Sequence, residues 1–387
     1  MNNFEFYGPT RVLFGKKMID ELPRLIDKKQ KVLMTYGGGS IKKNGVYDEV
    51  KKALTGYDIT EFGGIEPNPK YETLMKAVEI AKNNKIDFIL AVGGGSTLDG
   101  SKFIAAATKY LGQEDAYDAI VRTDGKSIKE ALPLGAVITL PATGSEMNCG
   151  AVISKLETDE KLAFHNENVF PKFSIIDPTV TFSLPQKQTI NGIVDTFVHT
   201  MEQYCTYEVN SPLQDLWALG LIRTLIQEAP KVLDNPKDYE SRANIFWCAT
   251  CGLNYWMAQG VVQDWSTHMI GHELTAFYGI DHAQSLAIVM PRLLKNQLQN
   301  KQEKLAKMAK EVFGIDDTNK KNAALNAIEK IENFFNSIGM KTKLNDYGIN
   351  SIDAAEKVKE RFAKRKTVIG ERGVIDANVA YDILKEC

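Results

Sequence analysis

Cysteine and histidine are both scarce in this chain: five of each among 387 residues. The cysteines (Cys149, Cys205, Cys248, Cys251 and Cys387) are few and odd in number, which excludes a disulfide framework and points to reduced thiols in a cytoplasm. Cys248 and Cys251 have C-x-x-C spacing, but a redox dithiol follows a strand at a helix start. This pair falls inside a helical pattern, and no second pair completes a zinc site, so both are expected to be buried structural thiols. Charge of one sign is also missing: 47 basic against 49 acidic residues leave a net −2, with no excess to hold nucleic acid or an anionic membrane. No apolar run approaches the roughly 18 residues of a membrane span. The N-terminus, MNNFEFYGPTRVLFG, lacks the basic start and apolar run of a signal peptide, so the expected location is cytoplasmic. Internal repeats, low-complexity tracts and long flexible linkers are absent as well.

What is present is an ordinary globular balance, 44% hydrophobic and 25% charged, in a chain too long for one core. The first half alternates β-rich runs at 11–14, 31–36, 86–92, 134–140, 151–155 and 173–177 with helical patterns at 18–28, 46–54, 71–83 and 98–110. That alternation predicts an α/β layer with a largely parallel sheet. The run 86–92, IDFILAV, is apolar throughout, as befits a strand covered on both faces. Beyond Pro185 helical periodicity takes over, at 186–204, 213–229, 242–259, 283–298, 301–312, 322–338 and 352–362. The expected division is an α/β domain over 1–184 and an all-α domain over 185–387.

Three loops in the first half suit an anion. The strand 86–92 runs into Gly93-Gly94-Gly95-Ser96-Thr97 and then a helix, where small residues expose backbone N–H groups and the helix N-terminus adds positive partial charge. Asp99, in the first turn, suits that dipole and equally can reach a sugar hydroxyl. The usual G-x-G-x-x-G fingerprint is absent. A second loop, Gly37-Gly38-Gly39-Ser40, follows the strand 31–36, and both loops belong at the carboxyl ends of strands, where open α/β sheets bind ligands. It has no carboxylate to grip a ribose 2′-hydroxyl; Ser40, with Lys42 and Lys43 beyond it, can hold a 2′-phosphate instead, or the lysines simply begin a solvated helix. The third stretch, from Thr139 through Thr143 and Ser145 to Asn148, is dense in hydroxyls and reads alone as a turn able to bond a pyrophosphate or an amide.

Three of the five histidines fall between Trp265 and His282. His268 and His272 are four apart and share a helix face; His282 follows Gly279, a plausible helix end. Asp195 and His199 repeat the four-residue spacing on another predicted helix. Such a pair alone is usually a surface contact, but with the histidine cluster it makes a pool of five possible ligands for a divalent ion. A catalytic site needs three or four and an open position, so one of the five does something else, and spacing does not say which. His165 lies outside the cluster and reads as ordinary.

Taken in order, PTRVLFG (9–15), FGGIEPNP (62–69), GGGST-x-D (93–99), ATGSEMN (142–148), PKFSIIDP (171–178), NGIVDTFVHTMEQY (191–204) and the histidine stretch resemble the iron-containing (group III) alcohol dehydrogenase family, above all its NADPH-dependent aldehyde reductase and butanol dehydrogenase branch. The resemblance implies a dehydroquinate-synthase-like fold, with a Rossmann-like dinucleotide-binding domain over 1–184, an all-helical metal-binding catalytic domain over 185–387 and the active site in the cleft between them. It also implies a homodimer, and hydride transfer between NADP(H) and a short- to medium-chain aldehyde or primary alcohol over one divalent ion, Fe²⁺ or Zn²⁺. It implies Asp195, His199, His268 and His282 as metal ligands and His272 as the catalytic, non-ligand histidine beside the nicotinamide. It further implies cofactor contacts at Gly38, Gly39, Ser40, Asn68, Gly94, Gly95, Ser96, Thr139, Thr143 and Lys161. Many members carry an aspartate in the first Gly-rich loop and prefer NAD; its absence here agrees with NADP, with an NAD-dependent alcohol or polyol dehydrogenase as the alternative. More remote readings are a dehydroquinate-synthase-like lyase, which needs a polar, basic pocket, and a non-catalytic nucleotide-binding protein with a structural metal.

Overall fold

The apolar runs of the first half become one parallel sheet. The computed structural model describes residues 1–387, with strands β1 (Arg11–Phe14), β2 (Lys31–Tyr36), β3 (Asp58–Phe62), β4 (Phe88–Gly93), β5 (Leu134–Ile138), β6 (Gly150–Lys155), β7 (Glu160–His165) and β8 (Phe173–Ile176). The six-stranded sheet has the order β1-β8-β5-β4-β2-β3, and every pairing in it is parallel. Strand alternation sends Val32, Met34, Leu90 and Val92 into the core on one face and Leu33, Ile89 and Ala91 into the core on the other. A strand buried on both faces has no polar face to show, which is why 86–92 reads as a continuous apolar run.

From β2 the chain moves outward to β3 and then returns to lay β4 on the other side of β2. The sheet's switch point therefore lies between β2 and β4, with Tyr36 level with Val92. The two Gly₃-Ser stretches leave these two strands side by side.

Several elements differ from the sequence-based expectation. The run 151–155 is a strand but not part of the sheet: β6 pairs antiparallel with β7 as a separate hairpin. Its burial alternates, unlike that of the central strands, because only one face is covered. β3 and β7 carry too few apolar residues to signal themselves. The pattern 18–28 breaks into a 3₁₀ turn (Met18–Glu21) and a short helix (Leu22–Leu25) around Pro23. The helix expected from Leu98 begins at Gly95, and the one expected to reach 259 ends at Gly252. A last helix, Ala377–Leu384, lies beyond the helical patterns expected from the sequence.

One compact unit contains Tyr7–Pro185 and Pro236–Thr250; the other contains Met1–Phe6, Gln186–Asn235 and Cys251–Cys387. The second unit is helical. Its Ser266–Tyr278 and His282–Asn296 helices share a core of Ile270, Leu274, Ile288, Val289 and Leu293 with Phe362 and Ile383 from two later helices. No helix in the molecule is long and apolar enough to cross a membrane.

Candidate metal centre and nucleotide-binding loops

Three helices of the second unit bring the imidazoles together. Asp195 and His199 lie one turn apart on the Gln186–Tyr204 helix, both buried. His268 and His272 lie one turn apart on the Ser266–Tyr278 helix, which ends at Gly279 in the left-handed conformation that favours glycine. His282 opens the next helix, capped by Asp281 and Gln284 in a reciprocal box. Gly271 lets these two helices close up: a Cβ there would sit 2.9 Å from Ser285 Oγ and 3.1 Å from Leu286.

The result is a set of donors around one carboxylate. His199 Nε2, His268 Nε2 and His282 Nε2 each lie 3.7 Å from Asp195 Oδ1. The tightest group is Asp195, His268 and His282, whose donor atoms all fall within 4.8 Å of one another. Two ligands about 2.0–2.2 Å from a shared ion stand about 3.3–3.6 Å apart in tetrahedral geometry, and the 3.7 Å separations from Asp195 Oδ1 lie just outside that range. His268 Nε2 is buried and has no hydrogen-bond partner in the protein, as a nitrogen kept for a metal should.

The electrostatics favour a cation as well. Burial pushes the His199 pKa down to about 4, leaving a neutral ring. At His268 burial works the same way, but the Glu202 and Asp195 carboxylates outweigh it and raise the pKa to about 9. The same two charges would attract a metal ion, whose binding displaces that proton. His272 is half-buried beside the group, its ring 5.0 Å from that of His282 and 6.2 Å from that of His268, without belonging to the tight donor set. Trp265, left-handed at the helix start, sets its indole edge-on against His268 at 5.3 Å. His165 is exposed, bonded to Asp124, and not among the grouped donors.

In the first unit, the loops converge on the N-terminus of the Gly95–Lys109 helix. Gly94 is its extended N-cap and Gly95 its first residue. A Cβ on Gly95 would stand 2.5 Å from Thr143 Oγ1, and one on Gly37 3.5 Å from Thr97 Oγ1, so all three loops meet there. Asn68, itself left-handed, donates its backbone N–H to Ser96 Oγ at 3.3 Å, and Thr139 N bonds to Gly93 O at 2.9 Å. Ser40 heads the short helix after the first loop and is exposed; Lys42 Nζ lies over the rings of Tyr36 and Tyr47, 5.0 and 4.8 Å from their centroids. Asp99 is buried; its Oδ1 accepts from Ser145 Oγ at 2.7 Å and its Oδ2 from Val152 N at 3.0 Å, while Lys161 on β7 is close enough to favour its charged form.

Two residues central to these sites are not picked out by sequence reasoning. Lys102, fully buried, donates to Ser145 O, Ser145 Oγ, Asn148 O, Asn148 Oδ1 and Gly150 O at 2.7–3.0 Å. It thus nails the Thr139–Asn148 stretch to the helix behind it. Glu202 bonds to His268 Nδ1. The clue for Glu202 was a carboxylate in the apolar stripe of NGIVDTFVHTMEQY, seven residues after Asp195.

With the geometry established, known proteins can be set beside it. Residues 9–178 match the family described as iron-containing alcohol dehydrogenase, and residues 189–374 match the C-terminal part of the Fe-containing alcohol dehydrogenase family. The chain is 49% identical over 383 residues to the NADPH-dependent aldehyde reductase YqhD of Escherichia coli K12, covering 99% of each protein. It is 43% identical over 355 residues to the probable NADH-dependent butanol dehydrogenase 1 of Bacillus subtilis 168, covering 90% of this chain and 91% of the other. The crystal structure of E. coli YqhD superposes with a TM-score of 0.97 at 48% identity, over 100% of this chain and 98% of the other.

Proposed function

The chain belongs to the iron-containing alcohol dehydrogenase family, and from that premise we propose that it moves a hydride between NADP(H) and short- to medium-chain aldehydes or primary alcohols at a single divalent metal. The observation that carries this reading is the placement of three imidazole nitrogens at one distance, 3.7 Å, from one buried carboxylate oxygen. Asp195, His199, His268 and His282 would hold the ion, Fe²⁺ or Zn²⁺, both of which accept imidazole and carboxylate ligands. Such an ion acts as a Lewis acid that polarises a carbonyl. His272 sits next to the ligand group with its ring half exposed, and it is assigned to proton relay, since imidazole titrates near neutral pH.

The dinucleotide is assigned to residues 1–184 and the metal chemistry to 185–387. Gly37, Gly38, Gly39, Ser40, Asn68, Gly94, Gly95, Ser96, Asp99, Thr139, Thr143, Ser145, Asn148 and Lys161 form the assigned cofactor site. The switch point between β2 and β4 and the N-terminus of the Gly95–Lys109 helix support that placement. Asp99 and Asn148 are assigned to it through the loop they hold. NADP over NAD is supported by Ser40 and Lys42 at the end of the first loop, where no acidic residue stands between 36 and 46. The one carboxylate facing Tyr36 and Tyr47, Glu61, is already bonded to Lys51. An NAD-dependent alcohol dehydrogenase is the second reading, favoured by the name of the B. subtilis relative. A cytoplasmic homodimer completes the proposal, to be checked by sedimentation.

Two measurements test it. Purified protein should oxidise NADPH steadily with butanal, lose that activity when chelation strips its metal, and regain it on adding Fe²⁺ or Zn²⁺; full activity in stripped protein would refute the metal role. With the same aldehyde, kcat/KM should be at least about tenfold higher with NADPH than with NADH, one good charge-assisted phosphate contact being worth about that much. A preference for NADH would refute the Ser40 and Lys42 argument.

A further inference from the structure

We infer that Glu202 is a positioning residue for the metal centre: it holds His268 in the tautomer with its proton on Nδ1, so that Nε2 keeps a lone pair for the ion. The inference rests on the assignment of Asp195, His199, His268 and His282 as ligands.

Glu202 shares a stripe of the Gln186–Tyr204 helix with Asp195 and His199, at spacings of four and three residues. It is buried, and both carboxylate oxygens are engaged: Oε1 accepts from Thr267 N at 2.5 Å, and Oε2 meets His268 Nδ1. A carboxylate is an acceptor only, so a bond to Nδ1 requires the proton to sit on Nδ1. In a neutral imidazole the other nitrogen is then bare. That other nitrogen, Nε2, points at Asp195 Oδ1 from 3.7 Å and has no hydrogen-bond partner. Glu202 also accepts through its backbone, from Asp264 N at 2.9 Å. Three bonds therefore fasten the turn entering the Ser266–Tyr278 helix to the helix that carries two other ligands. Partners of this kind orient a ligating histidine and raise its basicity.

Glu202→Gln separates the tautomer from the shape. The amide oxygen goes to the Thr267 N–H, which leaves an NH₂ facing Nδ1, and Nδ1 must then accept. The proton moves to Nε2, where a metal should be. Chelator competition with Zn²⁺ should show affinity weakened about 10- to 100-fold in Glu202→Gln, and partly restored in Glu202→Asp, with the thermal unfolding of the stripped proteins little changed. His268→Ala is the control for the underlying assignment. If it loses Zn²⁺ affinity while Glu202→Gln stays within about twofold of the parent, Glu202 has no positioning role. If His268→Ala binds Zn²⁺ normally, the ligand assignment fails and this inference with it. A readout that needs no Glu202 variant is ¹⁵N NMR of the five histidines in the Zn²⁺-loaded protein. His268, assigned by its missing signal in His268→Ala, should show its Nδ1 proton shifted downfield by the bond to the Glu202 carboxylate; an Nδ1 proton without that shift, or a proton on Nε2, would overturn the inference.

Discussion

Asp195→Ala is expected to lower kcat/KM for aldehyde reduction by about a thousandfold or more and to leave the protein without stoichiometric metal. Asp195 Oδ1 is the common neighbour of all three imidazole nitrogens, and it brings the only negative charge among the four assigned ligands. Without it, a buried dication would be held by neutral rings alone, in surroundings where a charge is costly unless paired. Lewis-acid stabilisation of a developing alkoxide is worth several kcal/mol, and each 1.36 kcal/mol is a factor of about ten. Asp195→Asn should fall between parent and Ala, since it keeps the shape and one oxygen but not the charge. Steady-state kinetics with metal content measured on the same samples tests this. An Ala variant with one metal per chain and more than about a tenth of the parent activity would contradict it.

Lys102→Met is expected to lower the unfolding free energy of the unit that contains it by about 3–5 kcal/mol, the usual cost of breaking a buried charge network from one side. Burial brings the Lys102 pKa down to about 8 against the pull of Asp99, so the group is cationic at neutral pH. Its ammonium satisfies three backbone carbonyls and two side-chain oxygens. Methionine fills the volume and satisfies none of them. The Thr139–Asn148 stretch should loosen, and KM for NADPH should rise by at least about tenfold.

The loss should also depend on pH. Burial already raises the Asp99 pKa above 3.8, with Lys102 the main opposing influence. Removing Lys102 raises it further. A group that binds its proton more tightly in the folded state stabilises the fold at low pH, and that contribution is lost as pH rises through the folded pKa. The variant's deficit should therefore shrink as pH falls from neutral toward the ordinary carboxylate range. Urea unfolding at several pH values tests both points; a deficit under about 1 kcal/mol at pH 7 would mean the five contacts do not act as a network.

These two residues also mark where sequence reading reaches and where it stops. Asp195 was found because histidine is rare, so a few side chains at helical spacing stood out. Lys102 was not, because a lysine in a helix ordinarily faces water and nothing local shows that five oxygens from a distant loop converge on it. Glu202 differs: a carboxylate in an apolar stripe two turns after Asp195 is a local signal, but its partner His268 is distant in the chain. The central strands were legible because burial on both faces removes every polar residue from them. β3 and β7 were not, since half-exposed strands with DITEF and EKLAFH look like loop. The pool of five ligands could not be divided by spacing, because Asp195 and the histidines are joined by a fold and not by a helical repeat.

The most direct test of the central claim is anomalous diffraction from crystals grown with the native metal, measured on both sides of the iron and zinc absorption edges. The account predicts one peak per chain, about 2.0–2.3 Å from Asp195 Oδ1 and from the Nε2 atoms of His199, His268 and His282. A peak elsewhere, or full activity in crystals and solution with no peak at this position, would contradict it.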